Sequence, residues 1–591
     1  MAGLIKYCRP SGYYMAEDFD IFDMDESVHE IRETEERRAL ESQKYGLQWK
    51  KIPENLSEKV PMLSIKKIAH SDDQSEINHI ILKGENFHAL TCLAHTHKSE
   101  IDVIYIDPPY NTGTDRFGYT DERVYERYPD GVEVKKDHPL KHSYWLSFMA
   151  KRLILAKKLL SDDGVIYIHI DDNEVAQLKL LCNGIFGESA FIGQVTWERA
   201  RKGKHLSVKF TRLHDYILIY AKNGRGAENM VLVGEITEPE DGPLLKTGNA
   251  HKDLIFPADC FERLPPDGTY HAGELGDVRL LEDFTIVNGQ ATGPLHLHGP
   301  FIWTQANLNS ELEKGGRAFI KTDMFRIRVR KNDRVVKALP SILYKDVGTN
   351  EDATAEVRKI LGMTLTELRN VIGNPKPVSL LKKLILARTL WLDRPLKVLD
   401  FFAGTGTTGH AVLEINNEYQ QEHQFILVTN NENGICDDAC RPRIYNVMFG
   451  GGGVPNEEAL GGVLNVVDVG ESVTNWNDIN DDTRLDIAKE CHYLPAFSRG
   501  TLVPVEVTDY WAVYSNLSKT KYTCIYFEED LEEFDAFRDA VDGLEGDVSA
   551  FFYSHGSTCD YDELLNCQVQ AFPSAFINEV EKAMRLNRGE S

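Results

Sequence analysis

The chain has 591 residues, 42% of them apolar and 27% charged, an ordinary globular composition long enough for several domains with large buried cores. Acids outnumber bases 92 to 66, and the net charge of −26, taken as a mean, argues against a partner that is itself a polyanion. No apolar run approaches the length of a membrane span, the start shows no secretory pattern, and the 10 cysteines are scattered, so the sequence points to a cytoplasmic protein with reduced thiols and no membrane partner.

Taken in chain order, residues 1–75 read as an irregular N-terminal extension containing a charged, solvated helix from His29 to Lys44. Short apolar strands follow at Asn78–Gly84, Ile101–Ile106 and Val165–Ile170. Between the second and third, Trp145, Phe148, Met149, Leu153, Ala156 and Leu159 recur at helical spacing, with Ser143 as N-cap and Gly164 closing the turn into the next strand. Asp171 and Asp172 read as N-caps of a helix over Glu174–Phe186. Residues 111–142 are long and polar, carry Tyr119, Tyr125 and Tyr128, and read as a loop that closes over a ligand. Far downstream, Lys397–Phe402 and Gln424–Thr429 add two strands around a helix after Gly406. Strands alternating with helices imply a parallel α/β sheet. Here it is built from two segments, 76–199 and 366–453, with an insert at 200–365 between them.

Charge is unevenly distributed along the chain. Residues 198–225 hold 8 Lys and Arg against 2 acids, and residues 314–337 hold 9 against 2, while the stretch 226–313 between them holds 4 bases and 15 acids. After the glycine run Gly450–Gly453, read as a linker, the tail 454–591 holds 9 bases and 27 acids. The tail has its own apolar strands near 510–527 and 548–553 and an acidic helix near 529–543, the pattern of a small α/β domain. Cys436 and Cys440 read as two thiols on a helix face, and His296 and His298 have no acidic or Cys partner in register, so no metal site is expected.

Two constellations carry chemistry. The first is Asp107-Pro108-Pro109-Tyr110, directly after a strand, where open α/β sheets place their ligands. Asp107 can accept a hydrogen bond from an exocyclic amine, the Pro108 carbonyl is a second fixed acceptor, and Tyr110 offers a face for a base to stack on. Two acceptors on the amine hydrogens favour a more pyramidal, more nucleophilic nitrogen without a strong base. A base reaching such a loop must leave the duplex stack. The second is Asp400-Phe-Phe402-Ala403-Gly404-Thr405-Gly406-Thr-Thr408-Gly409, a strand, a glycine-rich turn and a helix start. Small residues let the backbone approach a ligand, and the helix N-terminus favours an anion. Gly404, Gly406 and Gly409 also fit the dinucleotide spacing G-x-G-x-x-G, so spacing alone does not separate the two ligand classes.

Together the motifs resemble the S-adenosylmethionine-dependent DNA amino-methyltransferases. The order, Asp-Pro-Pro-Tyr before the glycine loop with a recognition insert between, is that of the β class. The similarity is greater to the modification subunits of type III restriction–modification systems. It is carried also by Leu82-Lys-Gly-Glu-Asn-Phe-His, Trp145-Leu-Ser-Phe-Met, His169-Ile-Asp-Asp-Asn-Glu, His214-Asp-Tyr-Ile-Leu, Asn374-Pro-Lys-Pro-Val-Ser and Thr429-Asn-Asn-Glu-Asn, and covers about residues 45–450. The resemblance implies an α/β fold: a Rossmann-like sheet in circularly permuted order, with a target-recognition insert and a small α/β C-terminal domain for interactions.

It also implies roles. Asp107, Pro108, Pro109 and Tyr110 would hold a flipped base. Asp400, Phe402, Ala403, Gly404, Thr405 and Gly406 would cradle the methionine part of S-adenosylmethionine, with Thr408 near its carboxylate. Glu85 and Asn86 would approach its adenine. One of Asn430, Asn431 and Glu432 would meet the ribose, where the family more often has a single acid. Lys376 and Pro377 would pack over the cofactor. Arg199, Arg201, Lys202, Lys204, Lys209 and Arg212 follow Trp197 where DNA-facing loops begin, and Arg326, Arg328 and Arg330 would share one strand face, so both clusters are the candidates for double-stranded DNA. The acidic parts are expected to face away from it. The implied activity is methylation of the N6 amine of adenine, with N4-cytosine methylation, a solitary regulatory methyltransferase and a non-catalytic recognition subunit as the alternatives. The implied partners are a second copy in a homodimer and a separate restriction subunit.

Overall fold

Ile101-Asp-Val-Ile-Tyr-Ile is buried at all six positions, as a strand covered on both faces of a parallel sheet must be. It is the centre of the computed structural model, which describes residues 49–54, 56–70, 77–111, 141–202, 210–237, 239–332, 334–371, 374–392, 394–527, 533–553, 568–572 and 574–589. Residues 51–591 form one compact unit.

The strands of the main sheet, in chain order, are β1 (Lys59–His70), β2 (Asn78–Lys83), β3 (Ile101–Ile106), β4 (Leu160–Ile170), β5 (Phe191–Glu198), β6 (His214–Ala221), β7 (Ile342–Leu343), β8 (Lys397–Asp400), β9 (Gln424–Thr429) and β10 (Val463–Asn475). Their spatial order is β1-β10-β2-β9-β8-β3-β4-β6-β5-β7. Strands β10 to β4 run parallel, and β6 is antiparallel to β4. The helices around it are α1 (Asn86–Thr96), α2 (Lys141–Leu159), α3 (Val175–Phe186), α4 (Asn350–Leu361), α5 (Val378–Thr389), α6 (Thr407–Tyr419) and α7 (Arg441–Phe449). From β8 the chain winds through α6 to β9 in one direction, and from β3 through α2 to β4 in the other. The order therefore reverses between β8 and β3, which pair through Val398↔Val103 and Leu399↔Ile104. Such a reversal opens a crevice at the carboxyl ends of the strands, and Asp107 and Asp400 stand there.

Several boundaries differ from the sequence expectation. Strand β1 lies inside the expected N-terminal extension and β10 inside the expected tail domain, yet they pair with each other and β10 joins β2, so both belong to the main sheet. The glycine run does not behave as a linker: the Gly453 amide donates to the Ile360 carbonyl at 3.1 Å, and a Cβ there would lie 1.8 Å from the Lys359 oxygen. These glycines are a close backbone contact with α4. Strand β4 begins at Leu160, and Gly164 sits at a register shift against β3 rather than in a turn. Ser143 lies within α2, its carbonyl accepting from the Ser147 hydroxyl at 2.7 Å. Glu174, not an aspartate, is the N-cap of α3 and makes no side-chain cap bond. Asp171 instead accepts from the Asn173 amide at 2.9 Å, and Asp172 from the Tyr216 hydroxyl at 3.0 Å.

The insert between β6 and β7 is built of short strands around its own core, which includes Leu254, Phe256, Phe284, Leu297, Phe301 and Phe325. The C-terminal part carries a five-stranded sheet (Val503–Val507, Trp511–Ser515, Lys521–Tyr526, Asp547–Tyr553, Gln568–Phe572) with the helix Phe534–Asp542 packed on it, a small α/β unit as expected. The loop tyrosines Tyr119, Tyr125 and Tyr128 lie outside the described residues. Among the described residues no helix is long and apolar enough to cross a membrane.

The contact between Gly453 and α4 predicts that Gly453→Ala lowers unfolding stability by roughly 2–3 kcal/mol. Gly184 inside α3 has nothing within 4 Å of its added Cβ. Gly184→Ala should therefore raise stability by about 0.5–1 kcal/mol. Calorimetric melting of the two variants beside the parent checks both signs.

Candidate active site

The Asp107–Tyr110 loop leaves the end of β3 with its two prolines buried. The Tyr110 hydroxyl donates to Asp107 Oδ1 at 2.7 Å, and the Trp145 indole N–H donates to the Pro109 carbonyl at 2.7 Å. The loop is thus pinned by α2, the helix whose apolar stripe includes Trp145. The next residue, Asn111, has φ +58 and donates to Glu174 Oε1 at 2.6 Å, and His142 contacts the same oxygen at 2.7 Å. Glu174 is fully buried, and burial raises its pKa against the pull of Asn111 and His142. Behind Tyr110 lies the buried His169, its ring near-parallel at 16° and 6.3 Å. Its Nδ1 is 3.1 Å from the Tyr105 hydroxyl and its Nε2 3.6 Å from Asp215. Burial, with the Lys376 charge, lowers the His169 pKa against the pull of Asp215 and Asp107. Burial pushes the Tyr110 phenol up, with Asp107's charge in the same direction.

Lys376 is the departure from expectation. Its ammonium lies 2.5 Å from Asp107 Oδ2 and 5.3 Å from the centre of the Tyr110 ring, with only 7% of the side chain exposed. The residue expected over a cofactor thus touches both groups expected to receive the base. Pro377 beside it is buried and is the N-cap of α5.

On the other side of the crevice, β8 delivers Asp400 into the glycine turn. Gly404 has φ +52 and Gly406 φ +79, a region where side chains are strained. A Cβ on Gly406 would also crowd Cys440 and Ile444 at 3.1 and 3.2 Å. Gly406 is the N-cap of α6 and gives it no side-chain cap, leaving the first-turn amides for other acceptors. Asp400 Oδ1 accepts from the Phe402 amide at 3.0 Å and Oδ2 from the Thr408 hydroxyl at 2.5 Å. Thr408 is thereby committed to Asp400. Burial raises the Asp400 pKa to about 7. The two hydrogen bonds hold it down and the Asp107 charge adds to the rise. The Ala403 amide donates to the Val428 carbonyl at 3.1 Å, tying the turn to β9. Thr405 and Thr407 are buried, and both hydroxyls accept from the buried Arg443 on α7, at 3.1 and 2.8 Å.

The remaining expected residues have clear partners. Asn86 donates to the Phe401 carbonyl at 3.0 Å and accepts from Arg152 at 2.6 Å. Glu85 caps α1 and pairs with Arg152 at 2.6 Å. Past β9, the Glu432 amide donates to the Asn430 side chain at 3.3 Å, while Asn431 bonds Asp437 at 2.9 Å, itself held by Lys83 at 2.6 Å. Asn431 is exposed and the other two partly buried. Cys436 and Cys440 are buried, and burial pushes the Cys436 thiol up to about 12. His296 and His298 do have acidic partners, Glu282 at 3.4 Å and Asp253 at 2.6 Å; Asp253 is brought opposite His298 by strand pairing that sequence distance hides.

The basic residues are less free than composition suggested. Arg199 pairs with Asp215 at 3.3 Å, Arg201 with Asp352 at 3.1 Å and Arg212 with Asp172 at 3.2 Å. Lys202 is exposed, and Lys204 and Lys209 lie outside the described residues. Arg328 and Arg330 share a face of the strand Ile327–Arg330, alternating with buried Ile327 and Val329, and Arg326 precedes it. All three are paired, Arg326 with Asp277, Arg328 with Asp241 and Arg330 with Glu262. The acidic stretch therefore does not face away from this basic cluster. His169, Glu174 and Asp215 fall within stretches that carry the family resemblance but were given no role of their own there, and Arg152 and Arg443 fall outside those stretches.

A doubly wound sheet with an Asp-Pro-Pro-Tyr loop and a glycine turn across its reversal point defines the class, an α/β protein with its candidate site at the reversal point. The family model of DNA methylases matches residues 101–439, more than half of the chain, and the chain belongs to that family. It is 34% identical over 366 residues to the StyLTI Mod subunit, a type III restriction-modification enzyme of Salmonella typhimurium, covering 60% of this chain and 52% of that one. It is 29% identical over 438 residues to the EcoPI Mod subunit of Escherichia phage P1, covering 68% and 66%. The Klebsiella pneumoniae type II methyltransferase M.KpnI is 29% identical over 404 residues, covering 63% and 84%. The chain thus spans about half to two thirds of the length of the first two relatives. A Thermus thermophilus modification methylase solved with S-adenosyl-L-methionine superposes at TM-score 0.30 and 13% identity, over 66% of this chain and 99% of that one.

The Lys376–Asp107 pair predicts non-additive stability. Asp107→Ala strands a buried ammonium and should cost about 3 kcal/mol, whereas Asp107→Ala with Lys376→Met should cost clearly less. A double-mutant cycle by chemical denaturation, giving a coupling of at least about 1 kcal/mol, is the expected result.

Proposed function

We propose that this chain transfers a methyl group from S-adenosylmethionine to the N6 amine of a flipped adenine in double-stranded DNA, as the modification subunit of a type III-like restriction–modification system. The observation that carries the reading is the placement of Asp107–Tyr110 and Asp400–Gly406 on the two strands that flank the sheet's reversal point.

The residues present fit the cofactor. Gly404 and Gly406 give a turn without side-chain bulk, α6 offers an uncapped N-terminus to a carboxylate, and Asp400 is an acid whose ionisation a net-positive ligand would favour. Phe402, Ala403, Glu85, Asn86 and one of Asn430, Asn431 and Glu432 would line the rest, with Thr408 acting through Asp400. When bound, S-adenosylmethionine supplies a methyl group already activated on a sulfonium, so the protein needs no strong base.

The chain's own work is positioning. Asp107 and the Pro108 carbonyl accept the amine hydrogens, Tyr110 stacks on the base ring, and Trp145 and Glu174 hold the loop in place from either side. Lys376 must release Asp107 Oδ2 for an amine to bind there, so base entry exchanges one nitrogen donor for another. Double-stranded DNA would lie against Arg199–Arg212 and Arg326–Arg330, with a homodimer partner and a restriction subunit docking elsewhere, the C-terminal domain being the candidate surface. The names of the Mod relatives, each the Mod subunit of a type III restriction-modification enzyme, support the restriction subunit among these partners.

Methylation-aware sequencing of DNA from cells expressing the chain alone should report N6-methyladenine at one motif; 4-methylcytosine alone would overturn the adenine assignment. Asp107→Ala should abolish methylation while DNA still binds. The raised Asp400 pKa gives a further expectation with a definite sign. A net-positive ligand favours the ionised acid, so affinity for S-adenosylmethionine should fall as pH drops below about 7, by up to about tenfold per unit. Titration calorimetry from pH 8 to pH 5.5 tests this, and Asp400→Asn should flatten the profile.

A further inference from the structure

Arg443 is fully buried on α7, and its charge is only loosely neutralised. Its nearest carboxylate oxygen, on Glu356, is 3.6 Å away, and Glu356 itself is part-exposed. Its Nε has no hydrogen-bond partner among the described residues. One terminal nitrogen donates to the Thr405 and Thr407 hydroxyls, and the other, which faces Glu356, lies 3.3 Å from His410 Nδ1. Burial pulls the Arg443 pKa down, against the attraction of the carboxylates of Glu356 and Glu414. An ion in this position costs several kcal/mol of desolvation unless something of opposite charge approaches it.

What it touches gives the direction of that demand. Thr405 lies in the glycine turn and Thr407 is the first residue of α6, so the guanidinium sits behind the uncapped N-terminus of a 13-residue helix. The positive end of the helix dipole and the buried cation therefore act on the same spot, through an interior that screens them weakly. Thr408, expected by family resemblance to serve a carboxylate, is instead spent on Asp400.

We propose that Arg443 is a positioning residue that supplies the counter-charge for the carboxylate of the amino-acid end of S-adenosylmethionine, acting through Thr405, Thr407 and the first turn of α6. The inference rests on the cofactor reading above. Glu356 is then a partial competitor: it draws on the same guanidinium, and its removal should strengthen the hold on the ligand.

The test compares two ligands that differ by one group, S-adenosylmethionine and its decarboxylated analogue, by titration calorimetry on the full chain. Arg443→Gln should weaken S-adenosylmethionine by about tenfold or more while changing the decarboxylated analogue less than about twofold. Glu356→Gln keeps an acceptor for the Val378 amide, which now bonds Glu356 at 3.4 Å, and should fold even if Arg443→Gln does not. It should tighten S-adenosylmethionine severalfold and leave the analogue unchanged. Equal losses of both ligands in Arg443→Gln would reduce Arg443 to a brace for the turn and overturn the proposal. So would an unchanged or weakened S-adenosylmethionine affinity in Glu356→Gln. A parent chain that binds neither ligand would overturn the cofactor reading itself, a separate outcome.

Discussion

The pairing of β3 with β8 is the constraint on which the rest depends. It joins Val103 and Ile104 to Val398 and Leu399, residues almost 300 positions apart in the chain. Because the strands are parallel and end together, Asp107 and Asp400 emerge on one edge, close enough for the charge of one to raise the pKa of the other. Two acids at a sheet edge need positive charge. Lys376 supplies it to Asp107, while among the described residues Asp400 has neutral donors, the Phe402 amide and the Thr408 hydroxyl. The asymmetry divides the crevice into a side already neutralised from within and a side left for a cationic ligand.

The two sides are held by different buried ions. Arg152 on α2 has no exposed surface and gathers Glu54, Glu85 and Asn86, and Asn86 passes the constraint to the Phe401 carbonyl at the root of the glycine turn. Arg443 does the equivalent from α7 through Thr405 and Thr407. Buried ion pairs of this kind add little net stability once desolvation is counted. Their effect is geometric: they fix a loop of glycines and threonines that has few side chains of its own to pack. A turn held this way is preorganised, so it need not be ordered again when a ligand arrives.

This explains what was legible in the sequence. The strands β2, β3, β8 and β9 and the two site motifs could be read because local pattern and chemistry coincide there: an unbroken apolar run ends in an unusual turn. Strands β1 and β10 could not, since each is stabilised by the other across some 400 residues, and local composition gives no sign of it. The glycine run misled for a related reason, because glycine serves both flexible segments and close packing, and only the nearness of the Lys359 carbonyl tells them apart. The role of Lys376 was hidden by sequence distance from Asp107. So were the acids beside His296 and His298, Glu282 from the bend between two strands of the insert and Asp253 from a neighbouring strand.

The net charge of −26 takes its meaning from the same pairings. Its segments alternate in sign along the chain, but they do not separate in space. Asp277, Asp241 and Glu262 of the acidic stretch lie against Arg326, Arg328 and Arg330 of the basic one. A phosphate binding there would have to displace a carboxylate. Pairs this exposed contribute about 0–1 kcal/mol, so the exchange is cheap. It does, however, free a carboxylate for each phosphate neutralised, and the freed carboxylate recruits cations again. On the DNA-binding reading proposed above, fewer counterions would be released per arginine than for an unpaired cation, and the salt dependence would be shallower than the count of basic residues implies. On that reading the overall charge does not exclude a polyanion, because the paired acids would set how readily each arginine is given up.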